Sequence, residues 1–152
     1  MNFVTVIYLI NLLLYAVYFF GKGSNIEVIT IVDYSISATM SLLLIIAGYL
    51  NAKQKMKYRS VLWMFFVNVL FFAMSGLFDQ FGNDFNILSS SGSDSFMFTL
   101  AFIAYNAYVF PLVVVLEGSG FSLVLPLLLS FVLPSLGYLI GIKIHSRKEV
   151  RS

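Results

Sequence analysis

Three asparagines, Asn11, Asn68 and Asn106, fall near the middle of three long apolar stretches of this 152-residue chain. A carboxamide carries two donors and an acceptor, and leaving it unbonded in an apolar medium costs several kcal/mol. Such side chains must turn towards one another, towards a backbone carbonyl or towards water. Around them stand further polar groups at helical spacing. Tyr8, Asn11, Tyr15 and Tyr18 follow an i, i+3, i+7, i+10 pattern and share a face. Thr30, Asp33, Ser37 and Ser41 form a second stripe, and Asn68, Ser75 and Asp79 a third. Tyr105 and Tyr108 flank Asn106, and Thr39 and Ser130 sit at similar depth in two further stretches. The candidate polar interior is therefore Asn11, Asp33, Ser37, Asn68, Asn106, Tyr105 and Tyr108.

The covalent chemistry open to these residues is narrow. Asp33 and Asp79 form a conceivable carboxylate pair, in which one protonated and one ionised acid would do hydrolytic work. Asp33 equally suits a helix N-terminal cap. His145 stands among bases with no second ligand at metal spacing, so no metal site is expected. Phosphate-binding, HExxH and GxSxG motifs are absent from the sequence. The chain has no cysteine, which removes disulfides, thiolate catalysis and Cys-based metal or redox sites. No cofactor is implied.

The elements that must hold these residues follow from composition. The chain is 60% hydrophobic and only 11% Asp, Glu, Lys or Arg, where a soluble domain carries about 25%. The charges bunch at 22–33, 53–59, 79–94 and 143–151, with Glu117 alone between the last two clusters. Between them lie apolar stretches of the length a helix needs to cross a hydrocarbon layer of about 30 Å. Backbone groups in lipid must be bonded within the segment, which selects helices here. The sequence predicts an all-α membrane helix bundle with five transmembrane helices, at about 3–20, 28–50, 60–78, 96–116 and 121–142. The first lacks the basic leader of a signal peptide and reads as a retained span. A basic connection at 51–59, an acidic polar loop at 79–95 and a basic tail at 143–152 join or follow them. Pro111, Pro126 and Pro134 fall inside the last two spans and should bend them. Gly137 and Gly141, four apart, are candidates for close helix packing.

Five crossings place the two basic clusters on opposite sides. Lys53, Lys55, Lys57 and Arg59 then oppose Lys22, Lys143, Arg147, Lys148 and Arg151, a balance that gives no orientation. A cytoplasmic 51–59 connection is favoured because it holds no acid. The alternative is four crossings plus a re-entrant or interfacial segment after Arg59, which puts both clusters in the cytoplasm. A dual-topology dimer or a translocated tail are further ways out.

Short connections leave little outside the bilayer, so the working surface is expected within it. The leading expectation is a small multi-pass protein of the cell membrane. It acts through helix contacts, with itself or as an accessory subunit of a larger complex. The alternative is a transporter, channel or lipid-handling subunit that uses the Asn/Tyr/Ser interior for a small solute or lipid. An intramembrane hydrolase built on Asp33 and Asp79 comes third. Membrane lipids are expected partners, and nucleic acid is not.

Overall fold

The computed structural model describes residues 1–22, 29–75, 93–116 and 121–149. Among them the chain is all-helical: α1 Phe3–Lys22, α2 Ile31–Lys53, α3 Arg59–Met74, α4 Ser93–Tyr105, a 3₁₀ turn Ala107–Val109, α5 Phe110–Val115 and α6 Phe121–Glu149. Among the described residues two helices are long and apolar enough to cross a membrane, α2 and the Val124–Ser146 stretch of α6. The pair α4 and α5 would make a third, but it bends by 62° at a short break. The expected span at 96–116 is therefore not a straight helix. Pro111 lies in the first turn of α5, where its missing N–H needs no intrahelical partner.

Side-chain bonds set the direction of each helix. The start of α1 lies against the end of α2: Asn51 Oδ1 accepts from the Phe3 N–H at 2.8 Å, and Asn51 Nδ2 donates to Asn2 Oδ1 at 2.8 Å. Asn2 Nδ2 reaches on to the Ser60 carbonyl, beside the start of α3, at 2.8 Å. At the opposite end Lys22 pairs with Asp33 at 2.8 Å. Helices α1, α2 and α3 thus alternate in direction.

Helix α6 runs antiparallel to α3. The Tyr58 hydroxyl donates to Ser135 Oγ at 2.9 Å, Phe65 meets Phe131 at 5.4 Å between ring centroids, and Leu127 packs on the Phe72 cluster. It runs in the same direction as α2, its most extensive neighbour, with Gly137 beside Ile45 and Gly141 beside Tyr49 and Ala52. The segment between α3 and α6 therefore leaves and returns at one end of the bundle, the end that holds Asp33. Helix α4 enters there, with Thr99 Oγ1 donating to the Ser75 carbonyl at 3.2 Å and Phe72 and Phe102 5.3 Å apart. By Asn106 it has reached only the level of Asn68.

Polar side chains are buried within an apolar core that includes Val4, Met40, Leu44 and Val61, and the outer face is apolar as well. Asn51, Asn68, Ser75, Thr99 and Ser130 are fully buried, while Leu13, Val17, Ile31, Trp63, Phe66 and Leu139 stand exposed. Glycines bring α2 and α6 close. A Cβ at Gly137 would collide with the Ile45 carbonyl, one at Gly48 with the Pro134 carbonyl, and one at Gly141 would sit 2.6 Å from Ala52 Cβ. Helix α2 ends in a Schellman turn, with Met56 N bonded to Asn51 O and Lys55 N to Ala52 O. Lys55 takes the left-handed position, φ 55°, that glycine usually fills.

Gly137→Val and Gly48→Val are each expected to lower stability in detergent by about 1–3 kcal/mol or more. Gly21, with nothing within 4 Å of an added Cβ, should tolerate alanine without loss, since Ala is the better helix former. Thermal unfolding followed by circular dichroism separates the three. The same measurement on Lys55→Gly should show a gain of about 1 kcal/mol, from removal of the left-handed strain.

Candidate functional site

The site is built around the break at Asn106. A helix that stops inside a bundle leaves carbonyls and amides unbonded, and side chains supply the missing partners here. Asn106 Nδ2 donates to Asn68 Oδ1 at 2.6 Å, and Asn68 Nδ2 donates back to Asn106 Oδ1 at 2.9 Å. Asn106 Nδ2 also reaches the Phe102 carbonyl at 2.8 Å. The 3₁₀ turn closes with Val109 N on Asn106 O at 2.8 Å. Across the turn, Ser37 Oγ donates to the Tyr108 carbonyl. Helices α2 and α3 thus hold one interrupted segment.

Tyrosines fill the space beside it. Tyr8 stacks on Tyr105, with centroids 4.6 Å apart and planes 9° apart, and meets Tyr108 edge-on at 6.2 Å. The Tyr105 hydroxyl donates to the Met64 carbonyl at 3.1 Å. Pro134 has no N–H, so the Ser130 carbonyl one turn earlier is left without its helical partner, and the Tyr8 hydroxyl approaches it at 3.5 Å. Asn11 Nδ2 makes a long bond of 3.4 Å to the Met40 carbonyl. Among the described residues the buried Asn11 Oδ1 has no hydrogen-bond partner, and the Tyr108 hydroxyl lies beside that of Tyr8.

A cleft opens from this cluster towards the Asp33 end. Tyr15, Tyr18, Lys22, Asp33, Ile36, Ser37, Ala107, Tyr108, Phe110 and Pro111 line it. Its cavity volume of about 20 Å³ is room for about one water molecule. At its mouth the Asp33 carboxylate accepts from Lys22 Nζ at 2.8 and 2.9 Å, from the Tyr18 hydroxyl at 2.8 Å, and from Thr30 N and Oγ1 at 2.6 Å each. The bond to Thr30 N is the backward reach of a capping box. Asp33 thus starts α2 and ties it to α1.

The sequence-derived candidates separate as follows. Asn68, Asn106, Tyr105 and Tyr108 come together at the break, with Ser37 touching the turn. Asn11 is buried but bonds to α2 rather than to the other two asparagines. Asp33 stands at the mouth. Thr39 departs from the expected interior set: it is exposed and donates to the Ser35 carbonyl of its own helix at 2.8 Å. Gly137 and Gly141 lie in the α2–α6 contact, away from the cleft. Asp79 lies outside the described residues, and the Asp33–Asp79 pair with it. His145 contacts the Gly141 carbonyl of its own helix at 3.0 Å. Among the described residues no group of His, Cys, Asp and Glu could hold a metal ion.

Tyr8, Tyr15, Tyr18 and Lys22 belong to the site although they were not among its sequence-derived candidates. Their signal was present: the α1 tyrosine pattern, continued by Lys22 four residues after Tyr18. Asn51, which reads as part of a connection, is fully buried and fastens three helices. No protein-family model, curated protein or solved structure matches this chain.

Replacing one amide of the reciprocal pair strands the other in a buried place, at a cost of about 1–3 kcal/mol. Asn68→Leu and Asn106→Leu should each destabilise the protein by that order. The double variant should cost less than the sum of the two. Denaturation of all four proteins in one mutant cycle measures the coupling.

Proposed function

We propose that the chain is a multi-pass protein of the cell membrane whose bundle encloses a polar interior for a small solute or a lipid headgroup, as a transporter, channel or lipid-handling subunit. The observation that carries this reading is the cleft, which runs inwards from Lys22 and Asp33 to Ser37, Ala107 and Tyr108 at the broken segment. Dry packing bonds the large majority of buried polar atoms to the protein, and among the described residues Asn11 Oδ1 is left over.

The apolar outer surface supports the membrane setting. Large apolar side chains on the outer faces of α1, α3 and α6 would be a liability in water and are at home among acyl chains. The topology proposed is four crossings, α1, α2, α3 and α6, with α4 and α5 as a broken segment that enters and returns at one side. Irregular backbone at such depth is tolerated where protein or a wet cavity surrounds it. Helix α3, with 16 residues, reaches about 24 Å, short of an average bilayer core, so the membrane is expected to thin around it.

Charge agrees with that path. Lys53, Lys55, Lys57 and Arg59 share one end of the bundle with the last turns of α6, which carry Lys143, Arg147 and Lys148. Lys22 stands at the other end. The positive-inside rule then places both termini and the 53–59 turn in the cytoplasm, with the cleft opening on the opposite side. Two features weaken the other readings. The tight glycine contacts join α2 to α6 of the same chain rather than to a partner. Asp33 has its acceptor positions taken up by its cap and ion pair, which leaves little for hydrolysis.

The chain has no native cysteine, so single-cysteine variants report cleanly. Ser37→Cys and Ala107→Cys should react with a membrane-impermeant thiol reagent added outside intact cells. Leu42→Cys and Ile46→Cys, on exposed apolar positions of α2, should stay protected by lipid. If the two interior positions react no faster than the two lipid-facing ones, the polar interior is dry packing. Reporter fusions at both termini should map to the cytoplasm; termini on opposite sides would rule out the four-crossing path.

A further inference from the structure

Resting on the membrane setting and the four-crossing path proposed above, and not on the cleft, we infer that the outer face of α3 binds an anionic phospholipid. Its phosphate sits on Lys57 and Arg59, and an acyl chain runs along Trp63, Phe66 and Leu70. Arg59, Trp63, Phe66, Leu70 and Met74 follow one another at steps of four, three, four and four residues. That spacing keeps them within about 80° of each other around the helix. All five are exposed, while Val61, Met64, Asn68 and Phe72 on the opposite face are buried. The helical rise sets Trp63 about 6 Å, Phe66 about 10 Å and Leu70 about 16 Å below Arg59. Half of a hydrocarbon layer is about 15 Å, so the stripe from Arg59 to Leu70 is one leaflet deep. Trp63 falls at the level where an indole meets headgroups. Phe65 lies 5.8 Å from Phe66 and 5.4 Å from Phe131 between ring centroids, which carries the apolar surface across to α6.

Charge selects the headgroup. Four bases stand at 53–59 and three more in the last turns of α6, against Glu149 alone. Arg151 follows, outside the described residues. Lys57 and Arg59 are exposed, and among the described residues neither has an ion-pair partner. An anionic headgroup brings the counter-charge they lack. The turn that carries them is held in place. The Tyr58 hydroxyl donates to Ser135 Oγ at 2.9 Å, the Tyr138 hydroxyl donates to the Met56 carbonyl, and the Schellman turn fixes the start. A bound phosphate therefore has side chains to order but no backbone, which lowers the cost of binding. A second copy of the chain is the competing occupant. A two-fold contact along this stripe, between copies inserted the same way, would set Arg59 against its own image. Like charges so placed oppose that contact.

Trp63 is the only tryptophan of the chain, so its fluorescence reads the lipid at this face. The test uses the full-length protein in vesicles of phosphatidylcholine and phosphatidylglycerol, with bromine quenchers on the acyl chains of one lipid or of the other. Quenching should show phosphatidylglycerol enriched beside Trp63 by at least about fivefold, the factor that one base near the surface is worth. Arg59→Gln should lower the enrichment by about that factor, and adding Lys57→Gln should abolish it. Arg59→Lys, which keeps the charge, should retain it. Lys143 lies eight residues along α6 from Ser135, about 12 Å. That exceeds the screening length of about 8 Å at about 0.15 M salt, so Lys143→Gln should leave the enrichment unchanged. Unfolding temperatures check that the variants fold. Equal quenching by the two lipids overturns the site, as does enrichment that survives Arg59→Gln or falls as far with Lys143→Gln; the membrane setting then stands. If neither lipid quenches Trp63, protein covers the face and the lipid site is abandoned. The polar interior fails on separate evidence, the protection of Ser37→Cys and Ala107→Cys.

Discussion

The reciprocal amide pair of Asn68 and Asn106 is the interaction on which the rest of the bundle turns. A helix interrupted inside a bundle leaves polar backbone groups that need partners. Here the Asn106 side chain bonds both to Asn68 and to the Phe102 carbonyl of its own helix. The break becomes a fixed feature of the fold. From it the chain turns through Ala107–Val109, places Tyr108 against Ser37, and forms one wall of the cleft.

The two ends of the bundle are fastened by different chemistry. Asn2, Asn51 and Ser60 join α1, α2 and α3 through neutral bonds. Lys22, Tyr18, Thr30 and Asp33 join α1 and α2 at the other end through an ion pair and a helix cap. Between these ends, α6 lies in close contact with α2 because Gly48, Gly137 and Gly141 allow backbones to meet. Pro134 plays two parts in that contact: its carbonyl touches α2, and its missing N–H leaves the Ser130 carbonyl for Tyr8. The aromatic stack of Tyr8 on Tyr105 then links α1 to the broken segment.

Much of this was legible beforehand. The inward direction of Asn11, Asn68 and Asn106 follows from the cost of an unbonded amide, and all three are buried. Asp33 takes part in the cap from inside the helix and not as the capping residue itself: Thr30 is the N-cap, and Asp33, three residues on, reaches back to its N–H. Thr39 shows where that logic fails. A hydroxyl can bond to a carbonyl one turn back in its own helix, so a threonine at mid-depth, unlike an asparagine, need not face inwards. Asn51 and Lys22 failed to stand out for another reason: both sit at helix ends, where polar residues are ordinary and only the fold gives them partners.

From the sequence alone came the helical class, the apolar segments, the bunching of charge and the demand that mid-depth polar groups be satisfied. These rest on local periodicity, length and transfer cost, which need no knowledge of what lies alongside. The tertiary structure alone decided that the 96–116 segment breaks at Asn106 and returns, that α6 lies along α2, and that both basic clusters therefore share one end. Hydropathy counts apolar residues and is blind to a turn within them. The direction a segment takes after a break is set by partners distant in sequence, here Asn68 on α3 and Ser37 on α2.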